Sequence, residues 1–278
     1  REQSNLNDDL MNNMPLFKIF GSTPRQTPTK VFLWEYSRKM NEGKDFARFY
    51  QKKGSCVGNG FGQVLWCLQA IEAMKDGEEE VKLPFWLLAY GRGRMYGGIR
   101  GYGEGSFGSA MCEGAKKDGA FEAFVEGVPQ PMFESDGSVT WGGQAEWDWS
   151  NGEKIEQKWL DMSRKHLIKT TALCKNADAV RDALVNGYPC TCASDWGGNM
   201  RPTVSGKTQP VLLNQRTDTW QHQMSVHGWW EHPDHGEIFY IFNSWGTNAH
   251  GTCPSGAPLG GFWIKKADME YICRQNEV

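Results

Sequence analysis

No apolar run in this sequence reaches the ~18–20 residues that a membrane-spanning helix requires, so no membrane is expected as a partner. There is no surplus of charge of either sign. Thirty Lys and Arg against 33 Asp and Glu leave a net charge of −3, which gives no electrostatic ground for a nucleic-acid partner. The glycine-rich stretch 91–105 lacks the Gly-Lys-Ser/Thr ending and the preceding strand of a phosphate loop, so it does not read as one, and no cofactor is expected. Internal repeats and low-complexity tracts are missing as well. The chain opens on Arg1 rather than Met and reads as processed or trimmed. No targeting segment is visible, and the compartment stays open. His232, His235 and Glu237 have a spacing that a metal could use, but they flank a Pro-Asp turn and read as a solvated loop; no metal is expected.

What is abundant is glycine (33 residues) and tryptophan (13 residues), which together suggest tight turns and an aromatic-lined structure. A chain of 278 residues, 39% apolar and 23% charged, can bury one large core or two moderate ones. Eight cysteines permit four disulfides without showing any. Cys67 and Cys112 fall within helical patterns and read as buried. Cys190 and Cys192 share one face of a predicted strand, as core residues or with one of them bridging to another site.

The chain is organised around residues 54–60, Gly-Ser-Cys-Val-Gly-Asn-Gly, and the helical pattern that follows. Val57, Phe61, Val64, Leu65, Leu68, Ile71 and Met74 recur at steps of three and four and predict an amphipathic helix ending near Asp76-Gly77. Cys56 stands at its front. The positive end of a helix dipole lowers a thiol pKa and favours the thiolate, which makes Cys56 a candidate nucleophile. Residues 1–44 read as an N-terminal arm. Met14, Leu16, Phe17, Ile19 and Phe20 could dock it on the body as a strand, a segment binding an assembly partner or a pro-segment remnant, and 22–24 and 27–29 look extended.

After an acidic loop at 78–80, residues 83–90 predict a short helix. Residues 91–105, with seven glycines in fifteen, predict an open loop in which Arg92, Arg94 and Arg100 either bind an acidic group or, by default, are solvated. Ser106 is expected to cap a helix over 107–117, with Gly119 closing it. Residues 120–160 show no clean period and predict loops and short strands. Strands are expected over 166–173, 189–193, 225–230, 237–242 and 260–265. A helix capped by Asn176 is expected over 177–185, and a long loop over 195–218. Helices dominate the first half and strands the second. The expectation is an α+β fold with a helical lobe over 45–125 and a β-rich lobe over 126–278.

A cysteine nucleophile needs an imidazole to take and return its proton, and donors aimed at the oxyanion. Residues 220–229, Trp-Gln-His-Gln-Met-Ser-Val-His-Gly-Trp, and 242–246, Phe-Asn-Ser-Trp-Gly, offer the base and its orienting group. Here the sequence resembles the papain-like cysteine peptidases (peptidase C1), specifically their bacterial and phage-type branch. The Gly-Ser-Cys context opening a long helix, His222 followed six residues later by Gly228-Trp229, and Asn243-Ser244-Trp245-Gly246 occur in that family's order. Gly103-Glu104-Gly105-Ser106, Gly187-Tyr188-Pro189 and residues 260–264 resemble further landmarks. The likeness runs over roughly residues 45 to 270.

The resemblance implies a papain-like two-lobed fold and a thiol protease cleaving peptide or protein substrates. Cys56 would attack, His222 would be ion-pair partner and general acid/base, and Asn243 would orient the imidazole. Trp245 would shield that hydrogen bond beside the substrate cleft. Backbone at Gly103 and Gly105 would pair with substrate, and a Gln side chain would join the Cys56 N–H in the oxyanion hole. The family's Gln stands six residues before the cysteine; Tyr50 is there in this chain, and Gln51 lies five before. Lys53 replaces a cysteine that many eukaryotic members use in a disulfide. The His222–Asn243 spacing is long, to be absorbed by a lengthened hairpin around 232–236. Two other readings accompany this one: a papain-fold structural or binding module, for example in a viral particle or assembly, and a transferase or amidase using the same pair. His227, five residues beyond His222, competes as the base but should face the other side of its strand.

Overall fold

The computed structural model describes residues 9–10, 13–16, 28–77, 80–275 and 278; the expectations placed on Phe17, Ile19, Phe20, residues 22–24 and 78–79 lie outside them. Among the described residues no helix is long and apolar enough to cross a membrane. Of the N-terminal arm, Leu16 makes a parallel bridge with Leu173, and Leu173 N–H donates to Pro15 O at 2.8 Å.

Helix α1 (Trp34–Met40) follows strand β1 (Lys30–Phe32). Helix α2 (Cys56–Asp76) then runs as expected and stops at Gly77, whose φ of 79° is the left-handed conformation that glycine adopts without steric cost. The helix is buried on two sides. Val57 and Phe61 enter one core with Phe85, Trp86, Tyr90, Met111, Trp141 and Trp159; Cys67 and Ile71 enter a second. A helix that is apolar around much of its girth is one that two cores enclose. Its first turns pack closely because they carry glycine. A Cβ on Gly58 would stand 2.3 Å from the Trp86 ring, and one on Gly62 2.6 Å from Phe49.

The first core is helical: α3 (Leu87–Tyr96), α4 (Gly108–Lys117), α5 (Gly142–Asp148) and α6 (Gln157–Ser163), with two-residue strands β2 (Pro84–Phe85), β3 (Phe121–Glu122), β4 (Met132–Phe133) and β5 (Val139–Thr140). Two expectations change here. The helix expected over 83–90 is displaced to 87–96, so the glycine stretch is helical in its first part. Those glycines serve close packing rather than an open loop: a Cβ at Gly91 would lie 2.1 Å from Trp149 O, and one at Gly93 2.9 Å from Met111 Cα. The aperiodic Trp-rich segment contains α5 and α6.

The second core lies on a seven-stranded sheet of order β1-β9-β10-β11-β8-β7, with β6 also paired to β9. Its strands are β6 (Cys190–Gly198), β7 (Thr203–Ser205), β8 (Val211–Leu213), β9 (Arg216–His232), β10 (Gly236–Phe242) and β11 (Gly261–Lys265). Helices α7 (Ala177–Val185) and α8 (Lys266–Cys273) pack on it. Asn176 caps α7 by accepting the Ala179 N–H at 2.8 Å. The polar stretch 195–218 is no long loop. Its ends are the outer halves of β6 and β9, paired as far as Gly198 with Arg216, its middle supplies β7 and β8, and Trp196, Val211 and Leu212 from it enter the sheet core. The strand expected over 166–173 is absent apart from the bridge at Leu173. All eight cysteines are free thiols.

Candidate active site

The turn before α2 is held by one buried carboxylate. Glu146, 1% exposed, accepts the backbone N–H of Lys52 (3.0 Å) and Lys53 (2.8 Å) and the Ser55 hydroxyl (2.7 Å). Burial pushes its carboxyl up from the ordinary value, and the Ser55, Lys52 and Lys53 donors oppose that. Asn59, one turn into α2, donates back to Ser55 O at 3.1 Å and Ser55 Oγ at 3.0 Å. Gln51 N–H donates to Ser244 O (2.9 Å), Ser244 Oγ donates to Gln51 Oε1 (2.5 Å), and Gln51 Nε2 donates to Lys53 O (3.0 Å). The Gln51 carboxamide is therefore fixed between the residue after Asn243 and the turn that leads to Cys56. Its Nε2 keeps a second hydrogen.

Cys56 is the first residue of α2 and is half-buried. Gln223, the neighbour of His222 on β9, reaches α2: its Nε2 donates to Val57 O at 3.3 Å, and its backbone N–H acts to lower the Cys56 thiol pKa. Helix α2 and strand β9 thus meet at Gln223. Gly60 of α2 faces the same residue, with room for a Cβ only at 3.3 Å from Gln223 Cγ.

His222 is 8% exposed, and its Nε2 lies 2.7 Å from Asn243 Oδ1. The two residues are 21 apart in sequence, yet β9 and β10 pair antiparallel with Ser225 opposite Phe242, so the continuation of that register brings them together. The turn between those strands is only residues 233–235; the long spacing is taken up by strand length, not by a lengthened hairpin. Trp245 stacks on the His222 ring at 4.8 Å between centroids, and Trp220 meets Trp245 at 5.0 Å. Asn243 is fully buried. Its Oδ1 also accepts the Ser244 N–H (2.7 Å), its own N–H donates to Gly260 O (3.1 Å), and its Nδ2 lies 3.0 Å from His250 Nε2.

The electrostatics differ from the expected resting ion pair. Burial pushes the Cys56 thiol up, against the N–H groups of Gln223, Val57 and Cys56 itself. Burial pulls His222 down to about 4, against its hydrogen bond to Asn243. Both shifts favour the neutral forms, thiol and imidazole, because burial outweighs the hydrogen bonds and the helix terminus that oppose it.

Gly103 and Gly105 stand next to this turn, but their N–H groups are engaged within the protein. Gly105 N–H donates to Gly54 O (2.7 Å), and Gly103 N–H donates to Ser150 Oγ (3.0 Å). Arg94, expected in a solvated loop, is 2% exposed and clamps the segment by donating to Gly105 O and to Ser150 O (3.0 Å). Arg92 is likewise paired, with Asp118 at 2.5 Å. His227 is buried in the core with Nε2 3.0 Å from Ser225 Oγ. His232, 2% exposed, is not solvated: it donates from Nε2 to Gln209 O (2.7 Å), while Glu237 pairs with Lys266 (2.6 Å). Among the described residues, no group of three or more His, Cys, Asp or Glu side chains is placed to hold a metal. Sequence reasoning missed Glu146, Arg94 and His250. None belongs to a motif, and Glu146–Ser55, Arg94–Ser150 and His250–Met200 join residues 91, 56 and 50 apart in sequence.

No protein-family model matches the sequence, and no curated protein matches it. Solved structures do. Xylellain, a cysteine protease from Xylella fastidiosa, superposes with a TM-score of 0.58 at 19% identity, over 94% of this chain and 90% of that one. A proCathepsin B from Trypanosoma congolense gives 0.59 at 10% identity, over 94% and 80%. The digestive procathepsin L 3 of Tenebrio molitor larval midgut gives 0.55 at 12% identity, over 98% and 76%. The fold is that of the papain-like cysteine proteases. In this papain-like fold, α2 enters both the helical and the sheet-based core and carries Cys56 as its first residue.

Proposed function

We propose that this chain is a papain-like cysteine peptidase that hydrolyses peptide bonds in peptide or protein substrates through Cys56, His222 and Asn243. The observation that carries the reading is the 2.7 Å hydrogen bond from His222 Nε2 to Asn243 Oδ1, on a strand whose next residue, Gln223, donates from Nε2 to the carbonyl of Val57, the residue after Cys56. With Nε2 protonated and bonded to Asn243, Nδ1 is the imidazole nitrogen left to take a proton.

The reaction starts from the neutral pair. As the Cys56 sulfur attacks the carbonyl carbon, its proton passes to His222 Nδ1 and the carbonyl oxygen becomes an oxyanion. The Cys56 backbone N–H and the second hydrogen of Gln51 Nε2 stabilise that oxyanion. The imidazolium then protonates the departing amine, leaving a thioester on Cys56. Water, deprotonated by His222, attacks the thioester, and collapse returns the thiol and releases the acid. Trp245 keeps water from the His222–Asn243 bond, which strengthens it. Gly103 and Gly105, with their N–H groups already engaged, shape the cleft wall next to the turn.

The test is hydrolysis of a mixed fluorogenic peptide library by the wild type and by Cys56→Ala. The proposal expects turnover in the first and none above background in the second. Equal turnover in both, or none in either from folded protein, would overturn it.

A further inference from the structure

One buried imidazole outside the proposed Cys56–His222–Asn243 set is committed to Asn243. His250 is 2% exposed, edge-on to Phe262 at 4.8 Å and tilted against Trp245 at 5.9 Å. Its Nε2 lies 3.0 Å from Asn243 Nδ2, and its Nδ1 lies 3.0 Å from Met200 O. A carboxamide nitrogen only donates and a carbonyl oxygen only accepts. Both contacts are hydrogen bonds only if His250 is neutral, with its proton on Nδ1 and a bare Nε2. The proton then runs from Nδ1 to Met200 O, and Nε2 accepts from Asn243.

The same accounting extends one residue further. With Nδ2 held by His250, and Oδ1 also receiving the Ser244 N–H at 2.7 Å, the Asn243 carboxamide has one orientation. Oδ1 faces His222, so the His222 proton sits on Nε2. Rotating the carboxamide by half a turn would set Nδ2 against His222 Nε2 and against the Ser244 N–H, and would put the His222 proton on Nδ1. That tautomer cannot accept the Cys56 proton.

We propose that His250 is a positioning residue: by accepting from Asn243 Nδ2 it locks the carboxamide that fixes the His222 tautomer. The proposal rests on the peptidase reading for its consequence in catalysis, but not for the hydrogen-bond chain itself. It assigns a second histidine to the site and ties Met200 to it.

The experiment is ¹⁵N-histidine NMR of the whole chain at neutral pH, with peptide-hydrolysis kinetics, on the wild type, His250→Gln and His250→Phe. The expected spectrum has His250 protonated on Nδ1 and His222 on Nε2. In His250→Phe, which keeps shape but has no acceptor, the Nδ1–H form of His222 should appear and kcat should fall at least tenfold with KM little changed. His250→Gln, whose Oε1 can accept from Asn243 Nδ2, should recover most of kcat and the Nε2–H form. An Nε2–H form of His250 in the wild type would overturn the proposal, as would unchanged His222 tautomer and kcat in His250→Phe. If His250→Phe does not fold, the wild-type spectrum and the Gln variant still decide. An inactive wild type with the expected tautomers would overturn the peptidase reading and leave the anchoring of Asn243 standing. An active wild type with Nε2–H on His250 would do the reverse.

Discussion

His222 Nε2 and Asn243 Oδ1 are 2.7 Å apart, brought together across 21 residues by the pairing of β9 with β10. The bond orients a neutral ring rather than stabilising a charged one, since burial pulls His222 down to about 4. Asn243→Ala should therefore lower kcat by about 100-fold, the lower end of what a positioned acid/base contributes, with KM changed little. Steady-state kinetics on a fluorogenic peptide check it. A fall confined to KM would place Asn243 in substrate binding instead.

The same shift predicts a pH dependence of stability. The His222 pKa drops from 6.5 to about 4 on folding, so as pH falls from 6.5 the unfolded chain takes up a proton before the folded one does. Stability is fully present above 6.5 and is lost as pH falls towards 4. For a group 8% exposed, a shift of that size corresponds to about 3 kcal/mol. Urea unfolding at pH 7.5 and pH 4 should show His222→Gln losing about 3 kcal/mol less than the wild type over that interval. His227 and His250, lowered in the same sense by burial, are common to both proteins and cancel. Parallel losses would contradict the assignment.

Glu146 holds two N–H groups and a hydroxyl of the turn before Cys56. Glu146→Ala leaves these donors without an acceptor at a buried site, which costs about 3 kcal/mol and lowers Tm by roughly 6–12 °C. kcat should fall more than tenfold, because the Cys56 N–H and Gln51 lose the turn that sets them. Calorimetry and kinetics on the same sample check both effects. Unchanged kcat at reduced Tm would make the carboxylate purely structural.

Two glycines of α2 make a matched pair. Gly58→Ala drives a methyl to 2.3 Å from the Trp86 ring, whereas Gly60→Ala meets the flexible Gln223 side chain at 3.3 Å. Gly58→Ala should destabilise by about 1–3 kcal/mol despite the better helix propensity of Ala. Gly60→Ala should lie within about 1 kcal/mol of the wild type. Equal denaturation midpoints for the two variants would sink the packing argument.

What was legible in the sequence was local. Cys56 at the head of a 3.6-residue pattern, Gly77 as its stop and Asn176 as a cap each declare themselves within one turn of helix, and the structure has all three. The sheet strands around Val226 and Ile238 were legible from apolar content. Their outer halves were not: residues 195–198 and 216–221 are mostly polar or glycine and form no apolar run, although Trp196 among them is fully buried in the sheet core. Glycines 91 and 93 misled because the same residue type marks an open turn and a tight helix contact. Only the neighbours Trp149 and Met111 tell the two apart. The partners of the candidate site were invisible for a similar reason. Glu146 contacts the turn across 91 to 94 residues, and His250 reaches Met200 across 50, so no spacing rule applies. The direction of the Cys56 shift was also out of reach: the helix terminus is visible in the sequence, the burial that outweighs it is not.

The central claim is that Cys56 and His222 form one reactive unit. The most direct measurement is intact-protein mass spectrometry after brief exposure to a peptidyl epoxide at neutral pH, followed by peptide mapping. A single adduct on Cys56, lost in His222→Ala while the other seven cysteines stay unlabelled, is the predicted result. No adduct on folded protein, labelling spread over several cysteines, or labelling of Cys56 that survives His222→Ala would contradict it.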